Sequence, residues 1–403
     1  MTRYRIAGAA LATLSALVPV MLSAQAVTKD GAARAALRAE NPIAVERRDE
    51  IVALPWATVR QQLPAATPQR VRVLDATQKE VASQVVDDDG DGQPDELIFQ
   101  ATFWPNEGKD FALEAAAPAA YAPKVFSRHD DPRDDVAWES DRIAWRIYGE
   151  GLKKTSSAMS SNGIDVWVKR TRDLIVAKWY DKGHDAYHVD TGEGADFYDV
   201  GTTLGAGGIG VWRGDSLYRA DNFKAWRIIA NGPLRTVFEL KYDPYDAGGT
   251  QVSEVKTVIQ DAGQNYFKQV SVLRSTDNAD ITYATGMFKQ PAAVGIESRA
   301  QPWAWLTAWA PVVPKSGGHG ELGAAVLVER ARLVDWKETG NHYLAIERTK
   351  SGAPVTNYVA AGWTDSGDFR DVKDWWKYLD ATAQRIASPI RVTLGAARSA
   401  AAR

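Results

Sequence analysis

The densest group of chemically useful side chains in this 403-residue sequence is "GHDAYHVDTGEGADFY", residues 183–198. It carries His184 and His188, two of the five histidines, together with Tyr187, Asp190, Glu193, Asp196 and Tyr198. Two histidines four apart suit two metal ligands on one helix face, but Gly183, Gly192 and Gly194 surround them and the glutamate of His-Glu-x-x-His is missing. The stretch therefore reads as a ligand-facing loop. It leaves "DLIVAKWY", whose apolar run reads as a strand, and so projects Lys178 and Tyr180 beside its own polar groups. The continuation "VGTTLGAGGIGVW" lacks the Lys-Ser/Thr of a phosphate loop; its glycines suit tight turns or backbone lying close to a ligand.

A second constellation is "WESDRIAWRIYG", residues 138–149. Strand alternation puts Arg142, Ala144, Arg146 and Tyr148 on one face, and Ile143, Trp145 and Ile147 on the other. Two guanidinium forks in register can clamp a carboxylate. The plainer alternative pairs them with Glu139 and Asp141 on a wet sheet face.

A third is "VDDDGDGQPDEL", residues 86–97, where Asp87, Asp89, Asp91, the Gln93 carbonyl and Asp95 follow the spacing of an oxygen-ligated Ca²⁺ loop. Position twelve is Ile98, which excludes an EF-hand. What remains is a simpler structural Ca²⁺ loop or only a hairpin tip, and in either case one expected to lie away from any cleft. No motif for an organic cofactor is present. The fifteen tryptophans offer a sugar-stacking platform or ordinary core. Trp167, Trp212, Trp303 and Trp305 are the platform residues selected, with Trp303 and Trp305 sharing one strand face; Lys178, Glu193 and Asp196 complete the candidate binding set.

These groups need a scaffold, and the chain reads as all-β. Runs such as "GIDVWVKR", "RTVFELKYDPY", "SEVKTVIQ" and "YFKQVSVLRS" alternate between turns, which suggests a large antiparallel two-sheet sandwich. One C-terminal helix, "DFRDVKDWWKYLDATAQRIA", sets Val372, Trp375, Leu379 and Ile386 at helical spacing. The expected division is a signal peptide over 1–26, a small N-terminal β region over 27–120 that carries the acidic hairpin, and the main sandwich over 121–403. Arg3 and Arg5 before an apolar run ending Ala24-Gln25-Ala26 predict export to the periplasm or beyond, with cleavage near Ala26. No other apolar run is long enough to span a bilayer. With no cysteine, stability must come from the core, and a net charge of −3 without a basic stripe argues against nucleic acid as a partner. The sequence leaves the oligomeric state open.

Through "WESDRIAWRIYG", "NGIDVWVKR", "YHVDTGEGADFYDVG", "DWWKYLD" and the hairpin "DDDGDGQPDEL", the chain resembles a secreted bacterial family of unknown function, DUF4861-type, over roughly residues 40–385. That resemblance implies a setting, the breakdown of uronic-acid polysaccharides, and no established catalytic residues. A carbohydrate substrate of this kind suggests β-elimination. Arg142 or Arg146 then neutralises the sugar carboxylate, His188 removes the C5 proton, and Tyr187 or Tyr198 protonates the leaving oxygen. The rival readings are a glycoside hydrolase using two of Glu139, Asp190, Glu193 and Asp196, and a carbohydrate-binding protein without catalysis.

Overall fold

The computed structural model describes residues 26–27, 32–154, 161–312 and 318–395. The expected signal peptide falls almost wholly in residues 1–25, outside the described residues. The chain is an all-β sandwich with a C-terminal helix, as the alternating runs predict. An eight-stranded antiparallel sheet forms one layer, its centre running Arg235–Asp246, Gln251–Asp261, Tyr266–Ser275, Pro354–Trp363, Glu321–Glu329 and Trp303–Pro311. Two five-stranded sheets face it. The first is a meander of Val125–Asp130, Asp135–Ser140, Ile143–Tyr148, Ile164–Lys169 and Gly194–Asp196. The second holds Ala206–Arg213, Ile281–Phe288 and His342–Thr349 at its centre, and a parallel bridge from Ile164 to Gly205 joins the two sheets.

Alternation explains the layering. Trp138, Trp145 and Val166 from the meander meet Phe238, Phe267 and Val359 from the long sheet in one buried core, where Phe267 stands edge-on to both tryptophans. The opposite face of the long sheet is covered by a 16-residue helix, Val372–Ala387, through Trp375, Leu379 and Ala383. Asp371 caps that helix, its carboxylate accepting from the amides of Lys373 and Asp374.

A second core lies at the N-terminal end, between a six-stranded sheet built on Ala33–Glu40 and Gly108–Glu114 and a three-stranded sheet of Arg47–Pro55, Glu96–Phe103 and Ser83–Val86. Residues 115–124 leave this unit without regular structure. The last strand, Arg391–Gly395, comes back to it and pairs with Ala33–Glu40, setting Leu394 opposite Leu37. Strand periodicity carries no information about such a partner.

"DLIVAKWY" is not a strand: Val176–Asp181 is a short helix. The buried carboxylate of Glu139 accepts from the amides of Ile175 and Val176 and so satisfies the helix start, while Val176, Trp179 and Tyr180 pack down on the meander. An apolar run this short has no period that separates strand from helix.

Candidate functional site

Strand Ile143–Tyr148 has the predicted two faces, but neither is wet. Ile143, Trp145 and Ile147 enter the sandwich core, and the short helix and the loop after it roof the other face with Trp179, Tyr180 and Tyr187. Beneath that roof the buried guanidinium of Arg146 meets two carboxylates. It donates to Asp165 Oδ2 from Nε at 3.1 Å and from NH2 at 2.6 Å, and to Asp196 Oδ2 at 2.9 Å. It also donates to the Tyr187 oxygen at 2.8 Å and the Tyr148 oxygen at 3.2 Å, and Tyr148 in turn donates to Asp165 at 3.0 Å. Trp167 stacks between Tyr187 and Trp179 with the guanidinium 5.1 Å from its ring centre.

Gly194 allows this convergence. Its φ is +111°, and a Cβ there would lie 2.0 Å from the Val168 carbonyl oxygen, so only glycine lets the edge strand Gly194–Asp196 close on Ile164–Lys169. The same pairing brings Asp196 to Arg146. Burial, and then the facing Asp165, hold the Asp196 carboxyl well above the usual carboxylate range, and the two acids share one guanidinium.

His188 closes the centre from outside. Its side chain is 32% exposed, with Nδ1 3.5 Å from Asp196 Oδ2 and 3.4 Å from the Asp196 carbonyl. The imidazole centre lies 4.7 Å from that of Tyr187. Burial, followed by the nearby Arg146 charge, lowers the His188 pKa and keeps the ring neutral. Burial raises the Tyr187 phenol, which stays protonated. The two rings thus sit side by side, the imidazole partly exposed and the phenol buried beneath it. His184 lies near His188, its ring tilted with centres 4.9 Å apart, but it is exposed and hydrogen-bonded to Asp185. Both histidines sit in a loop with one 3-10 turn, Ala186–His188, so the helical zinc arrangement is absent there.

The remaining predicted residues separate. Arg142 pairs with Asp49 and Asp368, and Arg146 with Asp165 and Asp196, so the two arginines form no common clamp and neither uses Glu139 or Asp141. Glu139 is committed to Lys169 and the helix start, and Asp141 to the Gly263 amide. Tyr198 donates to the Gly205 carbonyl inside the main core, away from His188. Lys178 and Lys182 surround Glu193 on the outside of the roof, and Asp190 pairs with Arg170 and His319. The tryptophan platform does not form. Trp167 is buried, Trp303 and Trp305 do share a face but lie under the C-terminal helix, and Trp212 sits on another sheet beneath Lys337. Asp165 and Tyr148 were missed as site residues; an aspartate inside the apolar strand "GIDVWVKR" is the signal that marks one of them.

The acidic hairpin forms as predicted between Ser83–Val86 and Glu96–Phe103. Ligand oxygens of Asp87, Asp89 and Asp95 lie within 4.8 Å of one another, a donor set that suits Ca²⁺, whereas Asp91 is turned to the Gln93 amide. Its placement differs from expectation: Asp88 and Glu96 line a cavity of about 350 Å³ that does not include His188.

A family model described as "Domain of unknown function (DUF4861)" matches residues 39–392. The chain belongs to the DUF4861 family. A relative in Formosa agariphila, described as "Uncharacterized protein P7", is 29% identical over 340 residues, covering 79% of this chain and 83% of the relative. Among solved structures, this DUF4861 chain is similar to a protein in glycosyl hydrolase family 38 from Enterococcus faecalis, with a TM-score of 0.51, 10% identity, and coverage of 92% of this chain and 48% of that one. An alpha-mannosidase from Enterococcus faecalis V583 also has a TM-score of 0.51 at 10% identity, with 91% of this chain and 46% of that chain covered. The chain spans about half the length of these structures, and the likeness is one of fold.

Proposed function

We propose that this DUF4861 protein is a carbohydrate-active enzyme that cleaves uronic-acid-containing oligo- or polysaccharides by β-elimination at the face closed by His188. The observation that carries the reading is a partly exposed, neutral imidazole backed by Asp196 and set against a phenol that Arg146 holds. His188 removes the C5 proton, the electron pair forms the C4–C5 double bond, and the glycosidic oxygen leaves C4 with a proton from Tyr187. Arg146 cannot also clamp the sugar carboxylate, since its donors are taken. Its role is to stabilise the Tyr187 oxygen as the proton departs. Arg133, over the rings of Tyr180 and Tyr187 and paired with Asp130, is the cation on this face that faces an incoming carboxylate. The uronic sugar comes from the setting that the sequence resemblance implies, and the fold shared with a glycosyl hydrolase family 38 protein supports a sugar-handling chain.

Incubation with a panel of uronate polysaccharides, following ultraviolet absorbance and reducing ends, tests the reading. Wild type should generate absorbance, His188→Ala should lose it with its fold intact, and His184→Ala should keep it. Full turnover by His188→Ala would sink the assignment; reducing ends without absorbance would mean hydrolysis, and silence would favour binding or a substrate outside the panel. Export with cleavage near Ala26 and a structural Ca²⁺ on Asp87, Asp89 and Asp95 complete the proposal. N-terminal sequencing of the mature protein and thermal unfolding with Ca²⁺ or chelator check each.

A further inference from the structure

The cavity beside the acidic hairpin lies between the three-stranded sheet, the long sheet and the end of the C-terminal helix. At its hairpin end, Arg235 of the long sheet holds Asp261 through Nε at 2.6 Å and NH2 at 3.0 Å, and Glu96 and Asp88 through NH1 at 2.9 Å and 3.3 Å. Three carboxylates against one guanidinium leave that end negative, with oxygen lone pairs to spare. Two further cations line the cavity. Arg385, at the end of the helix, shares the single carboxylate of Glu50 with Arg47, and Lys268, on the same face of the long sheet as Asp261, makes no ion pair among the described residues.

Arg385 is 8% exposed and lines the cavity, and its NH1 reaches Glu50 and Gln264 only at 3.4 Å and 3.5 Å. A guanidinium nitrogen held by contacts this long keeps donor capacity for an incoming acceptor. Beside Lys268 on the long sheet, Tyr266 and Tyr358 supply aromatic surface, and the volume of about 350 Å³ falls in the range of small-ligand sites.

We propose that this cleft is a second ligand site, separate from the His188 centre, for a small polyhydroxylated ring that carries one carboxylate, an acidic monosaccharide or the end unit of an acidic chain. The carboxylate accepts from Lys268 and Arg385, ring hydroxyls donate to Asp88 and Glu96, and the C–H face lies on Tyr266 and Tyr358. The proposal stands on the cleft alone and does not need the β-elimination chemistry.

D-glucuronate and D-glucose, titrated calorimetrically against the full chain, are the probes. Saturable binding of D-glucuronate in preference to D-glucose is expected, and Lys268→Met should weaken it by about tenfold or more with an unchanged unfolding temperature. Asp88→Asn should weaken it too, whereas His188→Ala should leave it unaltered. The site is refuted by equal binding of both sugars, by no binding, or by a Lys268→Met protein that binds like wild type. Loss of binding in His188→Ala alone would move the ligand to the loop centre and equally overturn the assignment. Because Lys268 makes no ion pair among the described residues, its truncation leaves no partner charge uncompensated, and the unfolding temperature reports separately on the fold.

Discussion

His188 and His184 differ in what stands behind them. Asp196 and Arg146 back His188, while His184 meets solvent and Asp185. Because burial and Arg146 depress the His188 pKa below its reference of 6.5, the base form persists to lower pH than in an exposed histidine. The acid limb of the rate profile should therefore fall below pH 6.5, and a limb at or above that value would contradict the assignment. The same shift affects stability. Below pH 6.5 the unfolded chain takes up a proton that folded His188 resists, so this residue removes stability as pH falls. The loop's density of polar side chains was legible in the sequence. That Asp196 belongs to it and Tyr198 does not was illegible, because the edge strand ends at Asp196 and Tyr198, two residues on, is turned into the core by the Gly205 carbonyl.

At the scale of elements, the C-terminal helix explains why tryptophans chosen as a sugar platform are core. Trp375 packs on Phe369 and Trp309, its indole donates to Thr307 Oγ1 at 2.8 Å, and Trp305 donates to Asp380 at 2.8 Å. Removing the cap with Asp371→Ala should cost about 1 kcal/mol, read as a lower denaturant midpoint with an unchanged slope. The helical spacing of Val372, Trp375, Leu379 and Ile386 made this helix readable from sequence. The short helix Val176–Asp181 was not, since its start is satisfied by Glu139, thirty-odd residues upstream, and not by a local capping side chain.

At the scale of the whole molecule, burying polar groups between the sheets has a pH cost that local sequence does not reveal. Glu347, on strand His342–Thr349, is enclosed in the sandwich, where Asn357 donates to it at 3.1 Å and burial raises its pKa from 4.5 to about 8. Folded Glu347 keeps its proton where the unfolded chain releases it. Its contribution is full below pH 4.5 and is lost as pH rises to about 8. Glu347→Gln should flatten that decline, seen as denaturant midpoints that converge with wild type at acid pH and exceed it at alkaline pH. Parallel curves for the two proteins would refute it.

By itself the sequence determined the class of structure: alternating β-branched and aromatic runs can bury one face only as sheets, and a 3.6-residue apolar stripe can pack only as a helix. It also located the loop around His188 and the acidic hairpin, because turns and polar density are local properties. The tertiary structure alone decided that Arg146 is locked beneath a roof while Arg142 faces Asp49 and Asp368, that the last strand returns to Leu37, and that the hairpin borders a cleft that Lys268 and Arg385 also line. Each of these depends on which distant segments meet, and side-chain periodicity states which way a residue points without stating what it will find there.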